Sequence, residues 1–137
     1  MTPVTQTRTG EDGNCFAAAL ASILEIPLHV VPEFGGDDVF VANIQRFLAE
    51  HGLYYVRVAP DDPALERAFE SGDVFHTIEG VSPRGGEHAT VGLNGEIVHD
   101  PHPQDGTGRG LVSVDAFGLL CARMSRPPGG VNPTGAY

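Results

Sequence analysis

The chain has 137 residues, a formal net charge of −10 and only eight Lys plus Arg. That length suggests one domain with a real core. The scattered cations argue against a nucleic-acid or anionic-membrane partner, since phosphate binding needs clustered Lys and Arg.

Residues 1–13 read as an extended arm and turn. The opening Met1-Thr2-Pro3-Val4-Thr5-Gln6 lacks the basic and apolar regions of a signal peptide. No apolar run reaches membrane-spanning length. The expected location is cytoplasmic, so the two cysteines are expected as free thiols rather than a disulfide. Gly10 to Gly13 cannot be regular structure. The sequence then switches at Asn14 to a helix former, and a helix is expected to about Glu25, stopped by Ile26-Pro27. Leu28 to Phe34 is a connector with a turn at Gly35-Gly36.

Asp37 or Asp38 can cap a second helix running to about Glu50. Val39, Phe40, Ile44, Phe47 and Leu48 recur in it at helical spacing, and His51-Gly52 stops it. Leu53 to Ala59 is a strand. Asp61-Asp62-Pro63 opens a short helix with Leu65, Ala68 and Phe69 on one face. Asp73 to Glu79 is a second strand, followed by a Pro- and Gly-rich loop. Segments 88–93 and 96–100 form a hairpin around Asn94-Gly95. After a loop over 101–110, Leu111 to Val114 and Gly118 to Met124 are expected as two final short strands. Residues 126–137 have little to bury and are expected as a flexible tail behind one domain spanning 1–125. Helices followed by mostly antiparallel strands make an α+β pattern.

Cys15 sits where loop becomes helix. A thiol in the first helical turn feels the positive end of the helix dipole, which favours the thiolate nucleophile. The free N–H groups there can also hold an oxyanion. A lone Cys is more commonly a small buried apolar side chain, and Cys121, between Leu119 and Met124, fits that description. What sets Cys15 apart is a matching His and Asp downstream.

A thiol nucleophile needs a base, and the base needs a group to hold its ring. His88 and Asp100 have that character, and hairpin register tests the pairing. A two-residue Asn94-Gly95 loop sets Leu93 opposite Glu96, and Asp100 then points to the other side of the sheet from His88. A three-residue Leu93-Asn94-Gly95 loop sets His88 opposite Asp100. It also gathers Ala89, Val91, Leu93 and Ile97 on one apolar face, with His88, Thr90, Val98 and Asp100 on the other. The three-residue loop is therefore expected, with the His88–Asp100 pair on the sheet face that meets the Cys15 helix.

Gly13-Asn14-Cys15 opening a small-residue helix, His88 beginning a strand and Asp100-Pro101 ending the next resemble the papain-like cysteine peptidase superfamily. The likeness is greatest to compact bacterial forms such as the bacteriocin-processing peptidase domains of peptide exporters, and it extends to short bacterial and phage proteins. It covers roughly residues 4–30 and 86–103. It implies a papain-like α+β fold in which the Cys helix packs on an antiparallel sheet. It implies that Cys15 attacks a carbonyl, that His88 takes and returns the proton, and that Asp100 orients His88. A Gln upstream of the Cys supplies an oxyanion-hole donor in such enzymes. Gln6 inherits that role, although it lies nine residues upstream of Cys15, farther than is usual in the family. The bulky Phe16 and the lack of any Trp also depart from the family.

A peptide or protein substrate follows, and no cofactor is implied. His99-Asp100-Pro101-His102 offers a competing metal-site reading, but no CxxC or HExxH accompanies it. His29, His51 and His76 have no partner legible in the sequence. Two classes of function fit these residues. One is a thiol enzyme acting on an amide, isopeptide or thioester bond by hydrolysis, deamidation or acyl transfer. The other is a non-catalytic binding or inhibitory module on the same fold.

Overall fold

Small side chains let the first helix lie close to a sheet. The computed structural model describes residues 1–10, 13–35, 37–103 and 108–124; the tail expected at 126–137 lies outside them. Helix α1 spans Cys15–Leu24, and Phe16 to Ser22 are all buried. Only Phe16 and Leu20 are bulky in that run, so the alanines can approach the strands beneath. Ser22 is fully buried yet satisfied, donating to Ala18 O at 2.8 Å and accepting from Val4 N–H at 2.9 Å. That second bond fastens the N-terminal arm to the helix. Glu25 closes α1 in the left-handed conformation, with φ of 57°, and Pro27 prevents continuation.

A 3₁₀ turn over Leu28–Val30 leads to α2, Asp37–Ala49. Its Ile44, Phe47 and Leu48 are buried, whereas Val39, grouped with them by spacing, is exposed. Gln45 clips α2 to strand β1 (Leu53–Val58). Its amide donates to Tyr55 O at 2.7 Å and accepts from Tyr55 N–H at 2.8 Å. These bonds occupy main-chain groups that an edge strand would otherwise offer to another chain. Helix α3, Ala64–Glu70, buries Leu65.

Strands β2 (Phe75–Val81), β3 (Glu87–Leu93), β4 (Glu96–His99) and β5 (Ser113–Ala122) complete a five-stranded sheet in the order β1-β5-β2-β3-β4, every pair antiparallel. The architecture is α+β, as expected. β5 differs from expectation: one ten-residue strand replaces two short ones, and it inserts between β1 and β2. The polar interruption that divided it in the sequence is Asp115, which a register shift against Glu79 and Gly80 leaves out of the ladder. A bulge absorbs such a residue without ending the strand.

Two apolar layers flank the sheet. α1, α2 and the Val31–Phe34 connector pack over Tyr55 and Ala89, while Leu65 of α3 packs with Ile78 and Phe117 on the other face. α1 therefore covers the face that carries Ala89. The expectation that the His88 and Thr90 face meets this helix is corrected by that packing: the apolar side of β3 faces α1, and His88 comes to Cys15 from the opening end of the strand.

The hairpin register is also corrected. Leu93 faces Glu96 across a two-residue turn, and Asn94 and Gly95 both have positive φ, 48° and 90°. That is the type I′ geometry matched to strand twist. Gly92 then faces Ile97, but Val91 faces His99, so Val98 is an extra residue on β4. The bulge reverses the alternation and brings Asp100 onto the His88 side. A two-residue turn plus one bulge thus achieves the pairing for which the three-residue turn was invoked.

Candidate active site

Cys15 is the first residue of α1. The side chain before it, Asn14, does not cap the helix. Its Oδ1 accepts from the N–H groups of Thr7 and Arg8, both at 3.0 Å, and its Nδ2 donates to Thr7 Oγ1 at 2.8 Å. Asn14 therefore holds the 7–8 segment beside the helix start. α1 is left with no side-chain cap and no acidic residue in its first turn. Among the described residues no side chain caps the positive end of the helix, and its first N–H groups can hold an anion.

Phe16 fixes where that terminus sits. Its ring lies edge-on to Phe34, Phe40 and Tyr55, with centroids 5.9, 5.1 and 5.7 Å away. Aromatic pairs at these separations add to simple burial. The residue that departs from the resemblance is thus the anchor of this chain's own helix start.

His88 is buried, and its Nε2 lies 2.7 Å from Asp100 Oδ1. Asp100 is held in turn: Oδ1 accepts from His102 N–H at 2.9 Å, and Oδ2 from Gly110 N–H at 2.6 Å. Arg109 donates to the Asp100 carbonyl at 2.6 Å. Burial alone would raise the Asp100 carboxyl, but hydrogen bonds from His88, Gly110 and His102 outweigh it and hold the group well below the usual carboxylate range. Burial alone would likewise lower His88. Hydrogen bonding to Asp100 and to the Cys15 thiol, with the charges of both, instead lifts it to about 9. With Nε2 committed to Asp100, Nδ1 is the nitrogen left for the sulfur. The arrangement favours an imidazolium between the Asp100 carboxylate and the Cys15 sulfur.

Cys15, His88 and Ala89 line a cleft of about 1710 Å³. One wall is α1 with Leu28 to Gly35; the other is the sheet lip at Arg57, Glu79, Gly80, Glu87 and Asp115. Gln6, the expected oxyanion-hole donor, is buried but does not line this cleft. Its Nε2 donates to Arg8 O at 2.8 Å, its N–H donates to Pro101 O at 2.8 Å, and its Oε1 is buried with no hydrogen-bond partner among the described residues. The structure brings Cys15, His88 and Asp100 together and puts Gln6 behind them as a brace between the arm and Pro101.

The remaining candidates are accounted for locally. His99 Nε2 lies 2.7 Å from Val4 O, and the His102 ring stands edge-on to His88 at 6.3 Å. Among the described residues, no three His, Cys, Asp or Glu side chains gather to hold a metal. Both cysteines are free, and Cys121 is half-buried rather than in the core. No described helix is long and apolar enough to cross a membrane.

The sequence reading missed the grip of Arg109 and Gly110 on Asp100, because a Gly-rich loop has no periodicity to expose a returning contact. It also missed Glu79, which reads as the polar end of a strand. No family model matches the chain, and no curated protein or solved structure is significantly similar to it.

Proposed function

We propose that the protein is a thiol hydrolase cleaving a peptide, isopeptide or related amide bond, with Cys15 as nucleophile, His88 as acid and base, and Asp100 as the group that holds His88, on a papain-like arrangement of helix and sheet. The observation carrying this reading is the buried His88 ring, bonded to Asp100 through Nε2 and interacting with the Cys15 thiol, at the uncapped start of a helix that borders a cleft. The order of the three residues on helix, strand and strand end agrees with the papain-like resemblance.

In this mechanism the Cys15 thiolate adds to the substrate carbonyl. The oxyanion formed is held by N–H groups of the first turn of α1, which no described side chain caps. The imidazolium of His88 donates its proton to the leaving amine, and the C–N bond breaks to give a thioester on Cys15. Water then loses a proton to His88 as it attacks the thioester, the acid product leaves, and the thiolate–imidazolium pair is restored. Asp100 keeps the ring in place through both transfers and offsets its charge. The partner is a peptide or protein substrate.

Competitive labelling of the folded protein with iodoacetamide at pH 6–7, read by peptide mass spectrometry, tests this. Cys15 should label much faster than Cys121, which is half-buried but has no acid–base partner among the described residues. Equal rates, or a faster Cys121, would overturn the reading and favour a non-catalytic binding module.

A further inference from the structure

The cleft beside Cys15 contains a charged group that the proposed chemistry does not use. Glu79 lies on β2 and is only 9% exposed, yet it lines the cleft. Its two oxygens have different surroundings. Oε2 accepts from Tyr55 Oη and, at 2.7 Å, from Thr77 Oγ1. Oε1 accepts no hydrogen bond among the described residues; its one contact is Arg57 at 3.4 Å. The Arg57 side chain is itself 51% exposed and lines the same cleft.

The chain makes room for this group. A Cβ on Gly118, the β5 residue opposite Thr77, would overlap Thr77 Oγ1 and the Tyr55 ring and approach Glu79 Oε2 to 2.9 Å. Burying a carboxylate is costly unless it is paired and bonded. Here two hydroxyls hold one oxygen, and the other faces a half-exposed cation at 3.4 Å.

The rest of the lip has the same sign. Glu87 and Asp115 are exposed, line the cleft and have no ion pair among the described residues. On the opposite wall Arg8 is already paired with Glu33. The sheet lip of the cleft is therefore net negative, with its desolvated carboxylate at Glu79.

We infer that Glu79 is the specificity-determining residue of this cleft and receives a cationic side chain, Lys or Arg, of a peptide substrate near the bond presented to Cys15. Arg57 moves toward solvent when that side chain arrives, exchanging an exposed ion pair for a desolvated one. Glu87 and Asp115 raise the local concentration of basic peptides without contacting the bound group. This assignment rests on the peptide-hydrolase reading for its substrate class, but its recognition step needs no thiol chemistry.

Dipeptidyl acyloxymethyl ketones test it, since they alkylate a thiolate with loss of a carboxylate. Probes carrying Lys, norleucine or Glu at the first or second residue from the reactive carbonyl are compared on the full chain. At one of the two positions Lys should outpace norleucine about tenfold, the size of one charged hydrogen bond, and Glu should be slowest. In Glu79→Gln the Lys-to-norleucine ratio should fall to within about twofold, because Gln can still accept from Tyr55 and Thr77 but carries no charge. Arg57→Ala, a change at an exposed residue, should raise the ratio. Fluorescence anisotropy of labelled Lys, norleucine and Glu peptides on Cys15→Ala protein repeats the comparison without chemistry. Preferential binding of the Lys peptide there supports the assignment even if Cys15 labels no faster than Cys121 and the hydrolase reading fails. An absent Lys preference in the probe and peptide series, or a preference that survives Glu79→Gln, overturns it.

Discussion

Two histidines on neighbouring strands, His76 and His88, are buried in the same sheet and are set up for opposite charge states. His76 is fully buried; it stacks on Phe69 at 5.3 Å and lies 4.8 Å from Phe117. Its Nδ1 is 3.0 Å from Thr77 O, and its Nε2 accepts the Gly95 N–H at 3.0 Å. A nitrogen that accepts cannot carry a proton, so these partners fix one neutral tautomer. Burial lowers its pKa, and the bond to Thr77 only partly opposes this. His88 meets an anion at Nε2 and the thiol of Cys15 as well, and is raised to about 9. Burial is common to both rings. Whether the second nitrogen faces a donor or an anion decides which ring is structural and which can move protons.

The largest break in this comparison comes from His88→Ala. On the proposed mechanism the wild-type thiol should alkylate readily at pH 6, because the positive His88 ring favours the reactive sulfur anion. Without the ring, labelling should follow an ordinary thiol with a midpoint near pH 8.5, a loss of roughly a hundredfold at pH 6. An unchanged rate–pH profile would show that His88 is not the partner. Asp100→Asn should be milder, about tenfold. The amide oxygen can still accept from His88, and what is lost is the carboxylate charge that favours the imidazolium.

Stability against pH sharpens the contrast, since the two rings act with opposite sign. Folding raises His88 from about 6.5, so the folded state binds the extra proton. Its stabilisation is complete below about pH 6.5 and is lost as pH rises toward about 9. Folding lowers His76, so its contribution is complete above about pH 6.5 and is lost as pH falls. Thermal melts of wild type should decline on both sides. His88→Ala should remove the alkaline decline. His76→Phe should keep the aromatic stack but leave the Gly95 N–H without its acceptor. It should cost roughly 1–3 kcal/mol near neutral pH and remove the His76 part of the acid decline. Asp100, whose pKa folding lowers, should still lose stability at lower pH.

The meeting of Cys15, His88 and Asp100 was readable because few residue types pair with a thiol at a helix start. Cys15 at a loop-to-helix switch, a strand-opening His and a strand-ending Asp are local features. His76 was not readable, because its acceptor role depends on Gly95, nineteen residues away, on a turn whose type had first to be known. The central position of β5 was hidden for a similar reason. Sequence order placed it last, and only the pairing of Thr77 with Gly118 and of Tyr55 with Leu120 shows it in the middle. The Val98 bulge leaves no mark in composition, since an exposed valine on an edge strand looks like any other. The helix–strand order and the hairpin were legible because their periodicity and turn residues lie within a few positions of one another.

Gly95→Val is the smallest perturbation, and it touches both histidines. Gly95 has φ of 90°, a conformation a β-branched residue resists. Space is not the obstacle: an added Cβ would sit 3.5 Å from Phe69 and 3.8 Å from Phe117, ordinary contacts. The cost is therefore one of backbone conformation, about 1–2 kcal/mol. If the turn shifts to relieve it, the Gly95 N–H leaves His76 Nε2, and Asn94 loosens its clip on Val74, now 2.9 Å from N–H to Oδ1. Those bonds hold the turn end of β4, whereas Asp100 at its far end is gripped separately by Gly110, His102 and Arg109. The variant should thus lower the melting temperature and weaken the acid-side dependence due to His76, yet slow Cys15 alkylation only about two- to fivefold, well short of the loss in His88→Ala. Alkylation falling as far as in His88→Ala, in protein that is still folded, would show that the turn itself positions the Asp100–His88 pair.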